Sequence, residues 1–287
     1  MTEENKDPQS EEKPEDCGGS CSGCNVEGCG SRSAEPPAKL EPNKNSRIAK
    51  TIAVVSGKGG VGKSFVTSLI AAELTRRGKK VGILDADITG PSIPRSFGAN
   101  GHLSANEDGI NPIVTDSGVT IMSANLMLPA EDIPVAWRGP VVTNALRQFW
   151  SEVNWGDIDV MLIDMPPGTS DVFLTVMQML PVDGIVTVSA PQELVGMIVG
   201  KALNLANSMG VPVIGLVENM AYYKCDECGK EHHIFGEPQG EQVAAKYNIE
   251  AVSRLPINPD FARLVDAGKV EDVVIEGALA PIIDQIL

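Results

Sequence analysis

"SGKGGVGKS", residues 56–64, is the stretch that decides how this sequence is expected to fold. It follows a short apolar run, "TIAVV" (51–55), and leads into "KSFVTSLIAAELTRRG" (63–78), where apolar residues recur at helical spacing and Gly78 stands where a helix cap belongs. Residues 57–64 match G-x-x-x-x-G-K-[ST] at every fixed position, in the strand–loop–helix context that the pattern requires. The stretch therefore predicts a phosphate-binding loop, called the phosphate loop below.

The residue types of the phosphate loop suit a nucleotide and its magnesium ion. Glycines let backbone N–H groups turn toward phosphate oxygens, and the start of the following helix adds partial positive charge. The ammonium of Lys63 can reach the β- and γ-phosphates, and the hydroxyl of Ser64 can ligate Mg²⁺. The predicted nucleotide-binding residues are Gly57, Lys58, Gly59, Gly60, Val61, Gly62, Lys63 and Ser64.

Lys58, second in the loop, narrows the class of nucleotide-binding protein. With it the loop resembles the deviant Walker A motif, K-G-G-x-G-K-[ST], of the class that includes MinD, ParA and the nitrogenase iron protein. In that class the extra lysine reaches across a dimer to the partner's nucleotide. The resemblance implies an ATP-dependent homodimer in which Lys58 and Lys63 are catalytic. A solvated loop lysine is the alternative interpretation of Lys58.

Further apolar runs predict the rest of the fold. They are "VGIL" (81–84), "VTIMS" (119–123), "VMLI" (160–163), "GIVTVSA" (184–190) and "VIGLV" (213–217). Such runs are typical of strands buried on both faces of a parallel sheet, and helical patterns lie between most of them. We predict an α/β fold for residues 46–287: a doubly wound, mostly parallel sheet with helices on both faces.

Three aspartates stand at the ends of predicted strands, where ligands bind in sheets of this kind. Asp85 and Asp87 occur in "ILDADITGPSIPR", and Asp164 occurs in "VMLIDMPPGTSD". Asp164 resembles a Walker B aspartate that holds Mg²⁺. The resemblance further implies that Asp87 orients the attacking water and that Asp85 belongs to the magnesium shell. Helix capping is the alternative role for all three.

Composition and charge limit the partners. The formal net charge is −15, of which residues 1–45 carry −5, so both parts of the chain repel nucleic acid and anionic lipid. No apolar run approaches the length of a membrane span, and the acidic N-terminus lacks the features of a signal peptide. These observations predict a cytoplasmic protein with neither nucleic acid nor membrane as a partner. Residues 1–45 are predicted to be a disordered acidic tail.

Cys225 and Cys228 form a C-x-x-C pair, and two thiolates seldom complete a metal site. Three completions are open from the residues alone. His232 or His233 could join the pair at a zinc ion, or the thiols could form a redox disulfide. Alternatively, two copies of the pair could meet across a dimer axis and supply four thiolates to one iron–sulfur cluster. The dimer indicated by Lys58 favours the third.

The tail holds the other four cysteines, Cys17, Cys21, Cys24 and Cys29, with glycines among them. Such a segment can wrap a cluster, because glycine lets the chain turn tightly around sulfur ligands, and zinc suits four thiolates equally well. Spacing alone does not choose between the two metals.

Taken together, these motifs resemble the Mrp family of P-loop ATPases, which are iron–sulfur cluster carriers. The resemblance covers nearly the whole folded domain, from about residue 47. The segments that carry it are "GKGGVGKS", "DADITGPSIPR", "WRGPVVTNALRQF", "IDMPPGTSD", "APQELVGM", "VENMAYYKCDECG" and "IFG".

The resemblance implies a homodimer with a 4Fe–4S cluster bridging Cys225 and Cys228 of both subunits. It also implies that Asn219 and Pro256, the latter in "RLPINPD" (254–260), lie near the adenine base. Some members carry an N-terminal four-cysteine motif with a second 4Fe–4S cluster, and the tail is similar in count, position and acidity. Only three residues separate its first two cysteines, so Cys21, Cys24 and Cys29 match that pattern more closely than Cys17.

The expected function is therefore that of an ATP-hydrolysing carrier, slow in turnover, that passes a labile cluster to apo-proteins. Two other classes share parts of the pattern. A positioning ATPase like MinD or ParA has the same loop but no use for six cysteines. An electron-transfer ATPase like the nitrogenase iron protein has a bridging cluster, but its ligands are widely separated cysteines.

Overall fold

The structure is a computed structural model that describes residues 38–287, apart from 89, 91, 100, 102, 128–138, 170 and 195–196. Of residues 193–199 no side chain is described. The tail cysteines Cys17, Cys21, Cys24 and Cys29 lie outside the described residues, as do Trp137 and Arg138 of the "WRGPVVTNALRQF" segment.

The described chain alternates between strands and helices. The strands are β1 (Arg47–Ser56), β2 (Val81–Asp85), β3 (Ser104–Asn106), β4 (Gly109–Asn111), β5 (Ile113–Val114), β6 (Thr120–Ser123), β7 (Asp157–Asp164), β8 (Gly184–Ser189), β9 (Val213–Lys224), β10 (Glu231–His232) and β11 (Ala251–Pro256). The helices are α1 (Lys63–Arg76), α2 (Ile93–Ser96), α3 (Gly139–Ser151), α4 (Asp171–Met179), α5 (Pro191–Leu194), α6 (Met197–Ser208), α7 (Gly240–Tyr247), α8 (Pro259–Asp266) and α9 (Ala280–Ile286).

Nine of the described strands form one sheet in the order β10-β9-β8-β1-β7-β2-β6-β5, with β11 also paired to β9. Pairing is parallel from β9 through β6 and between β9 and β11. Only the short end strands β5 and β10 pair antiparallel among these. The predicted mostly parallel α/β sheet is confirmed, and all six predicted strands are present.

Successive strand side chains point to opposite faces of the sheet and contribute to a hydrophobic core on each face. In β1, Ile52 and Val54 join one cluster, and Ala53 and Val55 join the other. The first cluster is closed by α1 and α9, and the second by α3 and α4. The helix residues that contribute include Leu69, Ile70, Ile282 and Ile283 on one side, and Phe149, Trp150, Phe173 and Val176 on the other. Helices thus cover both faces, as predicted.

Helix α1 is terminated by Gly78, the glycine that the sequence indicated, two residues after Arg76. Gly78 has a φ of +78° and donates its N–H to Thr75 O at 2.9 Å, while Lys79 N–H donates to Leu74 O at 3.1 Å. This pair of bonds is the Schellman arrangement, which satisfies carbonyls at the end of the helix. It aims the chain back toward β2.

The folded unit begins before the predicted boundary at residue 46. Leu40 N–H donates to Met179 O at 2.8 Å, and the indole N–H of Trp150 donates to Leu40 O at 2.9 Å. Asn43 is buried and donates to Asp108 O. Residues 38–45 therefore pack on the domain, because backbone bonds and one buried amide hold a segment whose composition is that of a tail.

Candidate functional site

The phosphate loop connects the carboxyl end of β1 to the start of α1. Gly60 and Gly62 have φ values of +84° and +82°, a backbone region that glycine enters without the strain of a Cβ. Val61 between them is buried in the core, and the hydroxyl of Ser56 donates to Lys58 O at 3.0 Å. The loop is thus anchored at its base, whereas Lys58, Gly59 and Gly60 are exposed at its tip.

Asp164, at the end of β7, accepts hydrogen bonds from three polar side chains of α1. It is fully buried, and its Oδ2 accepts from Lys63 Nζ at 2.7 Å and from Ser64 Oγ at 2.6 Å. Its Oδ1 accepts from Thr67 Oγ1 at 2.7 Å. The structure therefore brings together three predicted site residues, and it adds Thr67, one helical turn after Lys63.

Asp85 lies beside Asp164 because β2 and β7 pair in parallel with these two residues in register. Its carboxylate accepts from Ser123 Oγ at 3.0 Å and from Asp87 N–H at 3.1 Å. Complete burial, and next the negative charge of Asp164, raise the pKa of Asp85 well above its usual range. Asp87 is half-buried at the same edge of the sheet.

These residues suit a nucleotide and Mg²⁺. A hydroxyl and two carboxyl groups are the oxygen donors that Mg²⁺ prefers, and Lys63 supplies positive charge where phosphates would meet the loop. The loop also leaves room for backbone contact with phosphate, since a Cβ placed at Gly60 would meet no atom within 4 Å.

Asn219, in β9, also lies against the phosphate loop. Its Nδ2 donates to Val61 O at 2.9 Å, and a Cβ placed at Gly62 would lie 2.3 Å from the same nitrogen. Pro256, at the end of β11, is in register with Tyr222 of β9. The structure thus sets Asn219 directly on the loop and Pro256 farther along the same pair of strands.

A cleft of about 840 Å³ opens beside Pro256. It is lined by the segment from Pro256 to Phe261 and by residues that include Tyr222 and Cys225. The ring of Phe261 packs on that of Phe65, in the first turn of α1, with centroids 5.9 Å apart. The segment predicted to lie near adenine therefore borders the same cleft as Cys225.

Cys225 and Cys228 occupy the turn between β9 and β10, which we call the cysteine hairpin (residues 223–232). Lys224 pairs with Glu231, Cys225 N–H donates to Lys230 O at 2.9 Å, and Gly229 N–H donates to Cys225 O at 2.8 Å. Both thiols are free, with Cys225 half-buried and Cys228 exposed. The hairpin presents two thiols at the surface on a hydrogen-bonded turn.

The backbone of the hairpin favours the thiolate at Cys225. Its pKa lies below the ordinary cysteine value, first because of the backbone N–H of Cys228 and then because of that of Glu227. N–H donors directed at a sulfur stabilise its anion, and the thiolate is the form that binds metal.

The nearby histidines do not complete a metal site within the described chain. His233 Nδ1 lies 2.6 Å from Glu237 Oε2, and His232 belongs to β10. In the described residues, no group of three or more histidine, cysteine or acidic side chains is arranged to hold a metal ion.

Sequence reasoning missed Thr67, Ser123 and Glu218. Thr67 could have been found from helical spacing, since it lies four residues after Lys63 and so on the same face of α1. Glu218 is fully buried, accepts from Gln239 N–H at 2.8 Å, and precedes Asn219 in the chain. No local pattern marks Ser123 or Glu218, because their partners come from other elements.

Comparison with known proteins places these features in a family. Residues 47–287 match the ParA family model described as NUBPL iron-transfer P-loop NTPase. An iron–sulfur cluster carrier protein from Clostridium perfringens is 45% identical over 280 residues, covering 92% of this chain and 98% of the relative. One from Methanocaldococcus jannaschii is 45% identical over 237 residues, covering 82% of this chain and 81% of the relative.

Solved structures agree on the fold. A nucleotide-binding protein from Archaeoglobus fulgidus, in complex with ADP and with cobalt found, is 43% identical, with a TM-score of 0.73 over 80% of this chain and 90% of that one. The cell division ATPase MinD of Pyrococcus furiosus is 21% identical, with a TM-score of 0.58 over 83% of this chain and 98% of that one. The likeness to MinD is one of fold alone. In the described part of the chain, every helix is too short or too polar to cross a bilayer.

Proposed function

This chain belongs to the family of NUBPL iron-transfer P-loop NTPases and iron–sulfur cluster carriers, and we propose that it is an ATP-dependent cluster carrier. Its cargo is a labile 4Fe–4S cluster held between Cys225 and Cys228 of two copies of the chain. Recipient apo-proteins take the cluster from this site. The relatives' names support the role, and the exposed cysteine hairpin supports its location.

The observation that carries the proposal is the pair of free thiols without further ligands in the described residues. Two thiolates on a hydrogen-bonded turn, one of them favoured by backbone N–H groups, suit an iron–sulfur cluster but do not complete its shell. A second copy related by two-fold symmetry supplies the same two thiolates again. The exposed position of Cys228 also suits a cluster that is given away.

The nucleotide is the energy source of the cycle. Lys63 and the loop N–H groups bind the phosphates, Ser64 and Asp164 hold Mg²⁺, and Asp85 supports that shell. Asp87 orients the attacking water, and Lys58, exposed at the tip of the loop, reaches the nucleotide of the other copy. Asn219 and Pro256 lie near the adenine base of the nucleotide. Hydrolysis is slow and coupled to cluster binding and release.

The tail adds a second site. Cys21, Cys24 and Cys29, together with Cys17, hold a second 4Fe–4S cluster or a zinc ion. Residues before 38 form the acidic tail and residues 38–287 the ATPase domain, working in the cytoplasm without nucleic acid or membrane as a partner. The net charge of −15 supports the last point.

Anaerobic reconstitution with iron and sulfide tests the proposal. The wild-type chain, a Cys225→Ala/Cys228→Ala variant and a variant with the four tail cysteines replaced by serine are compared. Iron, acid-labile sulfide and zinc are measured on each. We expect the hairpin variant to lose the labile cluster and to keep any tail metal, and the tail variant to show the reverse.

The same preparations are then mixed with an apo-protein that acquires activity when it receives a 4Fe–4S cluster. The wild type and the tail variant should activate it, and the hairpin variant should not. Stoichiometric zinc without iron in protein prepared without air contradicts the carrier function. A labile cluster that survives loss of both hairpin thiols contradicts the site.

A further inference from the structure

Glu218 is a buried carboxylate with no part in the chemistry proposed above. It is fully buried, its Oε1 accepts from Gln239 N–H at 2.8 Å, and its Oε2 accepts from Gly240 N–H at 3.3 Å. Arg254 Nε of β11 lies 3.6 Å from Oε2. The carboxylate thus binds the start of α7, where free N–H groups and the helix dipole favour negative charge.

This contact closes the excursion of chain that contains the cysteine hairpin. The chain leaves β9 after Lys224, completes the hairpin with β10, and reaches Gln239, the residue before α7. Glu218, in the departing strand, is bonded to the returning end. A Cβ placed at Gly240 would lie 3.1 Å from Glu218 Oε2, which shows how closely the two ends approach.

The next residue, Asn219, is in contact with the nucleotide site. Its Nδ2 donates to Val61 O of the phosphate loop at 2.9 Å. Successive side chains of a strand point to opposite faces, so Glu218 can contact the start of α7 while Asn219 contacts the phosphate loop. A displacement of the phosphate loop that moves Asn219 also acts on the strand position held by Glu218.

The regular pairing of β9 with β11 is interrupted directly after this pair. Met220 has a φ of +54°, and pairing with β11 shifts register there, from Arg254 opposite Glu218 to Pro256 opposite Tyr222. A non-glycine residue in the left-handed region persists only where its surroundings hold it. The bonds of Glu218 and Asn219 are part of those surroundings, and Cys225 follows five residues after Met220.

We propose that Glu218 is a positioning residue that fixes the base of the cysteine hairpin, so that β9 transmits nucleotide binding at the phosphate loop to the thiols of Cys225 and Cys228. The inference rests on the proposed function, to which it adds a route within one chain. Without Glu218 the nucleotide still binds, but the hairpin no longer responds to it.

Glu218→Gln isolates this role. The amide keeps the shape of the side chain, but its one oxygen can accept from only one of the two N–H groups, and its NH₂ would face the other. Asn219 and the phosphate loop are untouched. Glu241→Gln is the matched control: Glu241 also pairs with Arg254, at 3.4 Å, and it lies in the first turn of α7, to which Glu218 is bonded, but its side chain is exposed.

The experiment measures how fast a maleimide modifies Cys225 and Cys228 in the cluster-free full-length chain, with and without MgATP. Peptide mapping reads these two thiols separately from those of the tail. In the wild type we expect MgATP to change the rate by about fivefold or more, the range usual for coupled sites. In Glu218→Gln the ratio should approach one with ATP affinity retained, and Glu241→Gln should match the wild type.

The inference is overturned if MgATP changes the modification rate in Glu218→Gln by the same ratio as in the wild type. It is also overturned if MgATP does not change the rate in the wild type. Either result leaves the carrier function standing if iron and sulfide still assemble on the hairpin. If Glu218→Gln fails to fold, Gly240→Ala perturbs the same contact, since its Cβ must displace the carboxylate by a few tenths of an ångström. Its ratio must then also fall toward one, and an unchanged ratio overturns the inference.

Discussion

The ammonium of Lys63 lies 2.7 Å from the carboxylate of Asp164, and both side chains are buried. The pair joins the first residue of α1 to the last residue of β7, so the positive charge of the phosphate loop is positioned by the centre of the sheet. Because Thr67 and Ser64 donate to the same carboxylate, the start of α1 is held by three side-chain bonds.

Replacement of Lys63 by alanine should weaken ATP binding at least about tenfold, because hydrogen bonds to charged groups contribute about 1.5–3 kcal/mol. Lys58→Ala, in the exposed tip of the same loop, is the comparison: it should lose hydrolysis with a smaller loss of affinity, because Lys58 is proposed to reach only the nucleotide of the other copy. Calorimetric titration with a non-hydrolysable ATP analogue measures the affinity. Equal loss of affinity in both variants would contradict distinct roles for the two lysines.

Thr67→Val should destabilise the domain by about 1–3 kcal/mol, because it leaves one oxygen of a buried carboxylate without a donor. Thr75→Val makes the same change on the same helix, where the hydroxyl donates to the backbone oxygen of Ala71 at 2.9 Å. It should cost about 1 kcal/mol or less. Urea unfolding measures both, and equal losses would show that the bond to Asp164 has no special weight.

The substitution Asp85→Asn should become more favourable for the stability of the fold, relative to the wild type, as the pH rises. Since the folded-state pKa of Asp85 is raised, the folded chain binds more protons than the unfolded chain between about pH 4 and the raised pKa, and stability falls across that window. Asparagine does not titrate. The free energy of unfolding of the variant relative to the wild type should therefore increase as the pH rises from about 4 toward the raised pKa.

Urea unfolding in chelator and without nucleotide measures this difference at both ends of the window. A difference that stays flat, or that moves in favour of the wild type, contradicts the raised pKa. The comparison between the two chains removes the contribution of every other titrating group that the substitution leaves unchanged.

Gly62→Ala should be more damaging than Gly60→Ala. Both glycines have left-handed φ values, so each substitution carries a backbone cost of about 1–2 kcal/mol. Only the Cβ at Gly62 meets another group, Asn219 Nδ2 at 2.3 Å, whereas that at Gly60 meets nothing within 4 Å. The excess cost at Gly62, measured by urea unfolding, should shrink when Asn219 is replaced by alanine. An excess that persists would place its cause elsewhere.

The strands could be predicted from the sequence wherever both faces are buried. Each predicted run corresponds to a strand, because continuous apolar sequence leaves little choice in a sheet covered on both sides. Strand β11, "AVSRLP", was missed: its buried residues alternate with half-buried or exposed ones, and it contains Arg254 and ends in proline, so it resembles a loop. The second half of β9 was missed because "ENMAYYK" is polar and bulged at Met220.

The site was predicted by residue type, but its contacts were not. Loop chemistry and strand-end position indicated Lys63, Ser64, Asp85 and Asp164, since those positions follow from local pattern. The bond from Thr67 to Asp164 joins residues 97 apart in the chain, and that from Gln239 to Glu218 joins residues 21 apart. Such contacts depend on register and packing, which composition and periodicity do not specify.

The proposed function depends above all on one cluster being shared by Cys225 and Cys228 of two chains. Native mass spectrometry of the anaerobically reconstituted chain, with the four tail cysteines replaced by serine, counts chains, iron and sulfide in a single species. We expect a species of two chains with about four iron and four sulfide. Cys228→Ala in that background should lose the cluster and the two-chain species that depends on it. A cluster or zinc ion carried by single chains through Cys225 and Cys228 would contradict the shared site.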